Sequence, residues 1–275
     1  MTRIAVTAAS GQLGSEVVKA TIEVVGKENV IGLARTPSNA ESLGIEIRPG
    51  DYESTDDLES SLTGVDAVML VSGMDAPDKR IAQHRNVIDA AKKAGVSKIV
   101  YTSIQGAEKG TAFSPVVQSN RPTEDDVRSS GLQWTVGRNG LYIEPDVEYV
   151  ETYKRRGEIA NCAGDGVCGY TTRPELAAAY ARMLSESEHN GQTYNLHGQT
   201  LTQLQVARYL NAAVGTELKD REMSIAEYRE DRVGELGEFM GNVIAGIYSG
   251  IRSGALDNES HFERAAGRPH QTWDT

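Results

Sequence analysis

The residues with the clearest chemical meaning stand near the start of the chain, in Thr7-Ala8-Ala9-Ser10-Gly11-Gln12-Leu13-Gly14. The run follows a short strand-like stretch and leads into a helical pattern, the setting in which glycines spaced this way bind a dinucleotide. Gly11 lets the backbone approach a pyrophosphate, and Gly14 lets the helix pack closely on the strand. Free amides of the first helical turn then face the phosphates, helped by the helix dipole. Thr7, Ala9, Ser10, Gly11, Gln12 and Leu13 are the residues expected to touch the cofactor here. One position departs from the pattern. Where G-x-x-G-x-x-G has its first glycine, this chain has Ala8, whose methyl group crowds a tight turn. The competing reading is an ordinary strand-to-helix turn with no ligand.

Arg35 stands about twenty residues beyond the glycines, at the end of Gly32-Leu33-Ala34-Arg35-Thr36. An acidic side chain there would bind a ribose 2′-hydroxyl, whereas an arginine pairs with a 2′-phosphate. The expected cofactor is therefore NADP(H) in preference to NAD(H), unless Arg35 is simply a solvated surface residue. Other candidates are weaker. Ser103 falls where a strand ends, so it could hydrogen-bond substrate or nicotinamide, or cap its own loop. Tyr142 and Tyr170 are candidate walls of a substrate pocket. His84 shares a helical face with Ile81, Val87, Ile88 and Ala91, which reads as packing. Cys162 and Cys168 flank Gly164-Asp165-Gly166 and read as ordinary thiols rather than a redox pair. The histidines and cysteines show no metal-ligand spacing, so no metal is expected.

These residues need a scaffold. Through residue 139, strand patterns at 4–7, 30–34, 45–48, 67–71, 99–102 and 133–136 alternate with helix patterns at 12–25, 55–62, 77–94 and 121–130. Such alternation predicts βαβ units, with apolar runs on both faces of a parallel sheet. After Asn139-Gly140 the pattern becomes less regular, with helices expected at 143–155, 174–185, 202–213, 224–230 and 235–248. Thr172-Arg173-Pro174-Glu175 reads as a capping box opening the second of these. The expected fold is α/β, a Rossmann-type doubly wound parallel sheet over 1–139 with a smaller, mostly helical substrate lobe over 140–275. With 39 acidic against 28 basic residues the net charge is −11, which disfavours nucleic acid and anionic membrane as partners. Two cysteines, no apolar run of membrane-crossing length and no signal-peptide pattern point to a cytoplasmic protein acting on a small molecule. A homodimer is compatible with this.

Further stretches carry a resemblance. GLARTPSNAESL at 32–43, Gly50-Asp51-Tyr52, QHRNVIDAAKKAGV at 83–96, IVYTS at 99–103, GRNGLY at 137–142, AGDG at 163–166 and TRPELAAAYARML at 172–184 join the glycine turn. Together they resemble the NmrA-like atypical short-chain dehydrogenases, nearest the NADPH-dependent quinone oxidoreductase and triphenylmethane reductase group. The resemblance implies that Asp51 and Tyr52 sit near the adenine. It implies that Val71, Ser72 and Gly73 line the path to the nicotinamide, and that Asn139 and Tyr142 lie at the cleft between lobes.

Ordinary short-chain dehydrogenases use a Tyr-x-x-x-Lys pair, the lysine lowering the tyrosine pKa for proton transfer. None of the eleven tyrosines has lysine four residues later. The reductases resembled usually carry His-x-x-x-Glu on the corresponding helix, and here the segment reads Asn120-Arg121-Pro122-Thr123-Glu124. Asparagine is no proton donor of useful pKa, and Asn120 instead suits a helix N-cap ahead of Pro122. A simple ketone needs a proton delivered to a developing alkoxide, whereas a conjugated acceptor takes hydride into a delocalised system and gains its proton later. The expectation is an NAD(P)H-dependent oxidoreductase acting on a quinone-like or other conjugated acceptor. Its rivals are a dinucleotide-sensing regulator without turnover and a lyase or isomerase on the same fold.

Overall fold

A computed structural model describes residues 2–106 and 113–273. Strand β1 (Ile4–Val6) feeds helix α1 (Gln12–Val25), followed by β2 (Val30–Ala34), β3 (Glu46–Pro49), α2 (Thr55–Ser61) and β4 (Ala67–Leu70). The alternation continues through α3 (Pro77–Lys93), β5 (Lys98–Ile104), α4 (Pro115–Arg128) and β6 (Gln133–Asn139). Next come β7 (Leu141–Tyr142), α5 (Glu144–Glu148), α6 (Val150–Arg156), β8 (Glu158–Asn161), β9 (Val167–Thr171) and α7 (Arg173–Ser185). The last part holds β10 (Gln192–Leu196), β11 (Thr200–Thr202), α8 (Gln203–Val214), β12 (Lys219–Glu222), α9 (Ile225–Arg252) and α10 (Phe262–Ala266).

Seven strands form one sheet in the order β10-β6-β5-β4-β1-β2-β3, with every neighbouring pair parallel. From β1 the chain winds one way through β2 and β3, then the other way through β4, β5 and β6. The reversal opens a crevice at the carboxyl ends of β1 and β4, where such sheets bind ligands. Strand periodicity explains why both faces are apolar. Ile4, Val6, Ala67, Met69 and Val100 face a core shared with α1 and α7. Ala5, Val68, Leu70, Ile99 and Tyr101, their alternate neighbours, face a second core under α2, α3 and α4.

Residue 140 marks where the chain first leaves this sheet, and it does not separate the cores. β10 returns to pair with β6, and Leu176, Tyr180 and Phe262 of α7 and α10 share a core with α1. The remainder builds its own core around Ile159, Cys168, Tyr170, Leu201, Tyr228 and Ile247. That lobe carries two small sheets, β11-β9-β7 and β12-β8, beside its helices. Strands of two to five residues are too short for alternation to register in the sequence. Among the described residues no helix is long and apolar enough to cross a membrane.

Three stretches of helix differ from expectation. α4 begins at Pro115, so Asn120 lies inside it rather than capping it. Burial of Val116, Val117 and Ser119 holds the earlier turn and outweighs the missing amide of Pro122. The helix expected at 143–155 is two short ones meeting at Tyr149. The two expected at 224–248 run into each other across Gly237, whose φ of 80° breaks the helical path.

Close packing makes Gly14 the most sensitive position. A Cβ there would stand 2.2 Å from the Ala8 carbonyl oxygen, and backbone cannot swing aside. Gly14→Ala is expected to cost about 3 kcal/mol, the upper end for overpacking. Gly234 lies in α9 with nothing within 4 Å of an added Cβ, so Gly234→Ala should gain about 0.5–1 kcal/mol. Urea unfolding midpoints measure both, and a Gly14→Ala protein as stable as wild type would contradict this packing.

Candidate functional site

The site begins at the turn between β1 and α1. Among the described residues Ala8 alone, apart from glycines, has a positive φ, at 49°. This is the position where the sequence pattern calls for glycine, and the left-handed backbone shows why. The Ala8 carbonyl accepts from the Gly11 amide at 2.8 Å, closing a tight turn, and the Ala9 amide donates to the Leu33 carbonyl at 2.9 Å on β2. The turn is thus tied to the neighbouring strand. Gln12 and Leu13 head α1, where helical geometry leaves amides without an intrahelical acceptor. Ser10, Gly11 and Gln12 are exposed, Leu13 and Ala9 are buried, and no acidic residue lies in the first turn to compete for an anion.

The carboxyl ends of β1 and β4 are joined by side chains. Thr7 Oγ1 accepts from the Val71 amide at 3.0 Å and lies 2.5 Å from the Tyr52 hydroxyl, which donates to the Val71 carbonyl at 2.7 Å. Burial pushes the Tyr52 phenol well up, so it stays a donor. Tyr52 therefore braces the link between β1 and β4, its hydroxyl fully engaged. Asp51 accepts from the Glu53 amide at 3.0 Å and helps turn the chain after β3. Ser72 is held at both ends, its amide donating to Thr102 Oγ1 at 2.8 Å and its hydroxyl to the Thr102 carbonyl at 2.5 Å. The Gly73 amide donates to His84 Nε2 at 3.2 Å, which places the ring proton on Nδ1, 3.0 Å from Thr123 Oγ1. Burial, then the Arg80 charge, pushes His84 down to about 3. It is a neutral strut for the loop. On the far side Arg35 lies exposed just past β2, without a hydrogen bond or ion pair among the described residues.

At the ends of β5 and β6 lies a buried charge cluster that the sequence reading missed. The Glu124 carboxylate accepts from Ser103 Oγ at 2.6 Å, Arg138 Nε and Nη2 at 3.0 Å, and Arg121 and Arg128 at 2.6 Å. Burial alone would raise its pKa, but the hydrogen bonds and charges of Arg138, Ser103 and Arg121 hold it below the ordinary carboxylate range. Asn120 Oδ1 accepts from the buried Arg80 Nη1 at 2.9 Å while Nδ2 donates to Ser103 Oγ at 3.2 Å. Ser103 is thus buried and spent on α4, neither a substrate contact nor a loop cap. Tyr170 is fully buried with Gln203 Nε2 donating to its hydroxyl at 2.6 Å, so it cannot wall an open pocket. Tyr142 is half-buried and receives Asn139 Nδ2 at 2.8 Å, while Asn139 Oδ1 accepts from the Tyr180 hydroxyl at 2.5 Å. Cys162 and Cys168 are free and buried, and burial pushes both thiols up, away from reactivity. Thr172 does cap α7 through the Glu175 amide, but the Glu175 carboxylate turns to Arg268 instead of closing a capping box. Between the starts of α3 and α4 and the kinked α9 is a cavity of about 650 Å³, lined by Pro77, Phe113, Pro115, Arg229 and Phe239 among others.

A glycine turn at the switch point of a parallel sheet is the arrangement that binds dinucleotides. The sequence profile of the NAD(P)H-binding family matches residues 8–187, and the chain belongs to that family. It is 34% identical over 278 residues to quinone oxidoreductase 2 of Escherichia coli (strain K12), which covers 98% of this chain and 95% of that protein. The solved structure of an NADPH-dependent quinone oxidoreductase from Escherichia coli complexed with NADPH superposes with a TM-score of 0.91 at 32% identity, covering 98% and 96%. Triphenylmethane reductase of Citrobacter sp. complexed with NADP(H) superposes with a TM-score of 0.89 at 31% identity, covering 99% and 98%.

Glu124→Gln leaves three guanidinium groups around a neutral amide and is expected to cost about 3–5 kcal/mol at pH 7. The folded carboxyl titrates below its ordinary 4.5, so its contribution is complete above that pH and fades as pH falls through the folded value. The stability gap between wild type and variant should therefore narrow on acidification. A gap constant from neutral to strongly acidic pH would contradict the ion cluster.

Proposed function

We propose that the protein is an NAD(P)H-dependent reductase, preferring NADPH, that passes hydride to a quinone-like or other conjugated small-molecule acceptor. The observation that carries this reading is the left-handed turn at Ala8, which aims the start of α1 into the switch-point crevice. In this reading Thr7 and Ala9 shape the turn, and Ser10, Gly11, Gln12 and Leu13 surround the pyrophosphate. Asp51 and Tyr52 flank the adenine, Val71, Ser72 and Gly73 run beneath the nicotinamide half, and Asn139 closes its far end. Arg35, exposed and without a partner among the described residues, is available to a 2′-phosphate.

The choice of acceptor follows from what the crevice lacks. His84 is neutral and spent on Gly73, and Glu124 is locked among arginines, so neither carries a proton to a ketone oxygen. A bound dihydronicotinamide would supply the hydride, and the chain would position it. Acceptors with delocalised π-systems tolerate late protonation, which agrees with the quinone, azo and triphenylmethane activities in the names of its relatives.

Arg35→Ala should weaken NADPH roughly 10- to 100-fold, the worth of a hydrogen-bonded charge pair, and leave NADH nearly unchanged. Fluorescence titration with both nucleotides measures this, and equal losses would refute the 2′-phosphate role. NADPH bound tightly but oxidised by no quinone or dye would point instead to a nucleotide sensor.

A further inference from the structure

We propose that Tyr142 is a catalytic residue of this reductase, its hydroxyl donating the hydrogen bond that receives negative charge when a carbonyl-bearing acceptor takes hydride. The inference rests on the reductase reading above and adds a residue to it. Position comes first. Arg35 and Asp51 put the adenine half over β2 and β3, so the nicotinamide half points toward β4, β5 and β6. Tyr142 follows the end of β6 by three residues, and its half-buried ring packs on the core beneath the crevice.

Polarity is set by its neighbours. The Tyr180 hydroxyl lies 3.0 Å from the Gly137 carbonyl and 2.5 Å from Asn139 Oδ1, and Asn139 Nδ2 donates to Tyr142 Oη at 2.8 Å. One lone pair of the phenol oxygen is thereby taken, and among the described residues nothing accepts the Tyr142 proton. The arrangement leaves an unspent donor just past the end of β6, the side of the sheet toward which the nicotinamide half would point. Three charges act on it: the Arg173 guanidinium, 5.6 Å from the ring centroid, and the buried Arg80 favour the phenolate, while Glu144 opposes them. Burial outweighs the two arginines and pushes the phenol up to about 12, so Tyr142 keeps its proton at neutral pH and polarises rather than protonates.

The step balances without a further reagent. A C–H bond of the dihydronicotinamide breaks, its hydrogen and electron pair join the acceptor's conjugated system, and a carbonyl π pair moves onto oxygen. The cofactor is oxidised and the acceptor reduced by two electrons. Tyr142 Oη–H bonds to the oxyanion while it forms, and water then supplies the proton.

The test compares two acceptors that differ in needing an oxyanion. A p-benzoquinone places charge on oxygen, whereas a cationic triarylmethane dye takes hydride at carbon and becomes neutral. Tyr142→Phe is expected to lower kcat for the quinone about 100-fold, the usual loss of one such donor, with NADPH affinity and dye reduction unchanged. NADPH affinity shows that the variant is folded. Quinone turnover retained, or quinone and dye turnover falling together, would overturn the role of Tyr142. Wild-type protein inert toward both acceptors would instead overturn the reductase reading, and this role with it.

Discussion

The contact between Gly14 and the Ala8 carbonyl is the constraint on which the rest depends. α1 can begin where it does only because Gly14 carries no side chain against that oxygen, and because Ala8 accepts a left-handed backbone that costs an L-residue about 1–2 kcal/mol. The cost persists because the surroundings leave the turn no other path. Ala9 is pinned to Leu33, Gly11 to Ala8, and Thr7 to Val71. Strain concentrated at one residue and held by its neighbours is characteristic of a ligand-binding turn.

Around that turn the crevice is lined by polar groups that are almost all spoken for. Thr7, Tyr52 and Val71 close one circuit; Ser72 and Thr102 close another; Gly73, His84 and Thr123 close a third. Each bond contributes on the order of 1 kcal/mol, but an opened circuit would strand a buried donor or acceptor at greater cost. The circuits fix the rim and leave little chemistry on it. The same holds for Glu124, which falls at the glutamate of the His-x-x-x-Glu pattern in sequence and has the environment of a structural anion in space.

What could be read from the residue order follows from range. The glycine turn, the strand alternation and Arg35 are local patterns, and the six strands they implied are six of the seven in the observed sheet. Ala8 was legible as an anomaly, although its left-handed φ was not. Misreadings came where partners lie far away in sequence. Ser103 and Tyr170 looked available because Glu124, Asn120 and Gln203, which occupy them, come from other elements. The start of α4 was missed because Pro122 reads as a helix opener, while the turn before it is stabilised by burial. The apparent boundary at 140 came from a real change in patterning, yet β10, α7 and α10 return to the first core through contacts no local window contains.

The central claim is that the amides between Ala8 and Gly14 hold a dinucleotide pyrophosphate. Amide chemical shifts of the isotope-labelled protein titrated with NADP⁺ test it most directly. The account predicts saturable shifts at Ser10, Gln12 and Leu13, the residues heading α1. Saturable binding that leaves those amides unmoved, or no binding at all, would contradict it.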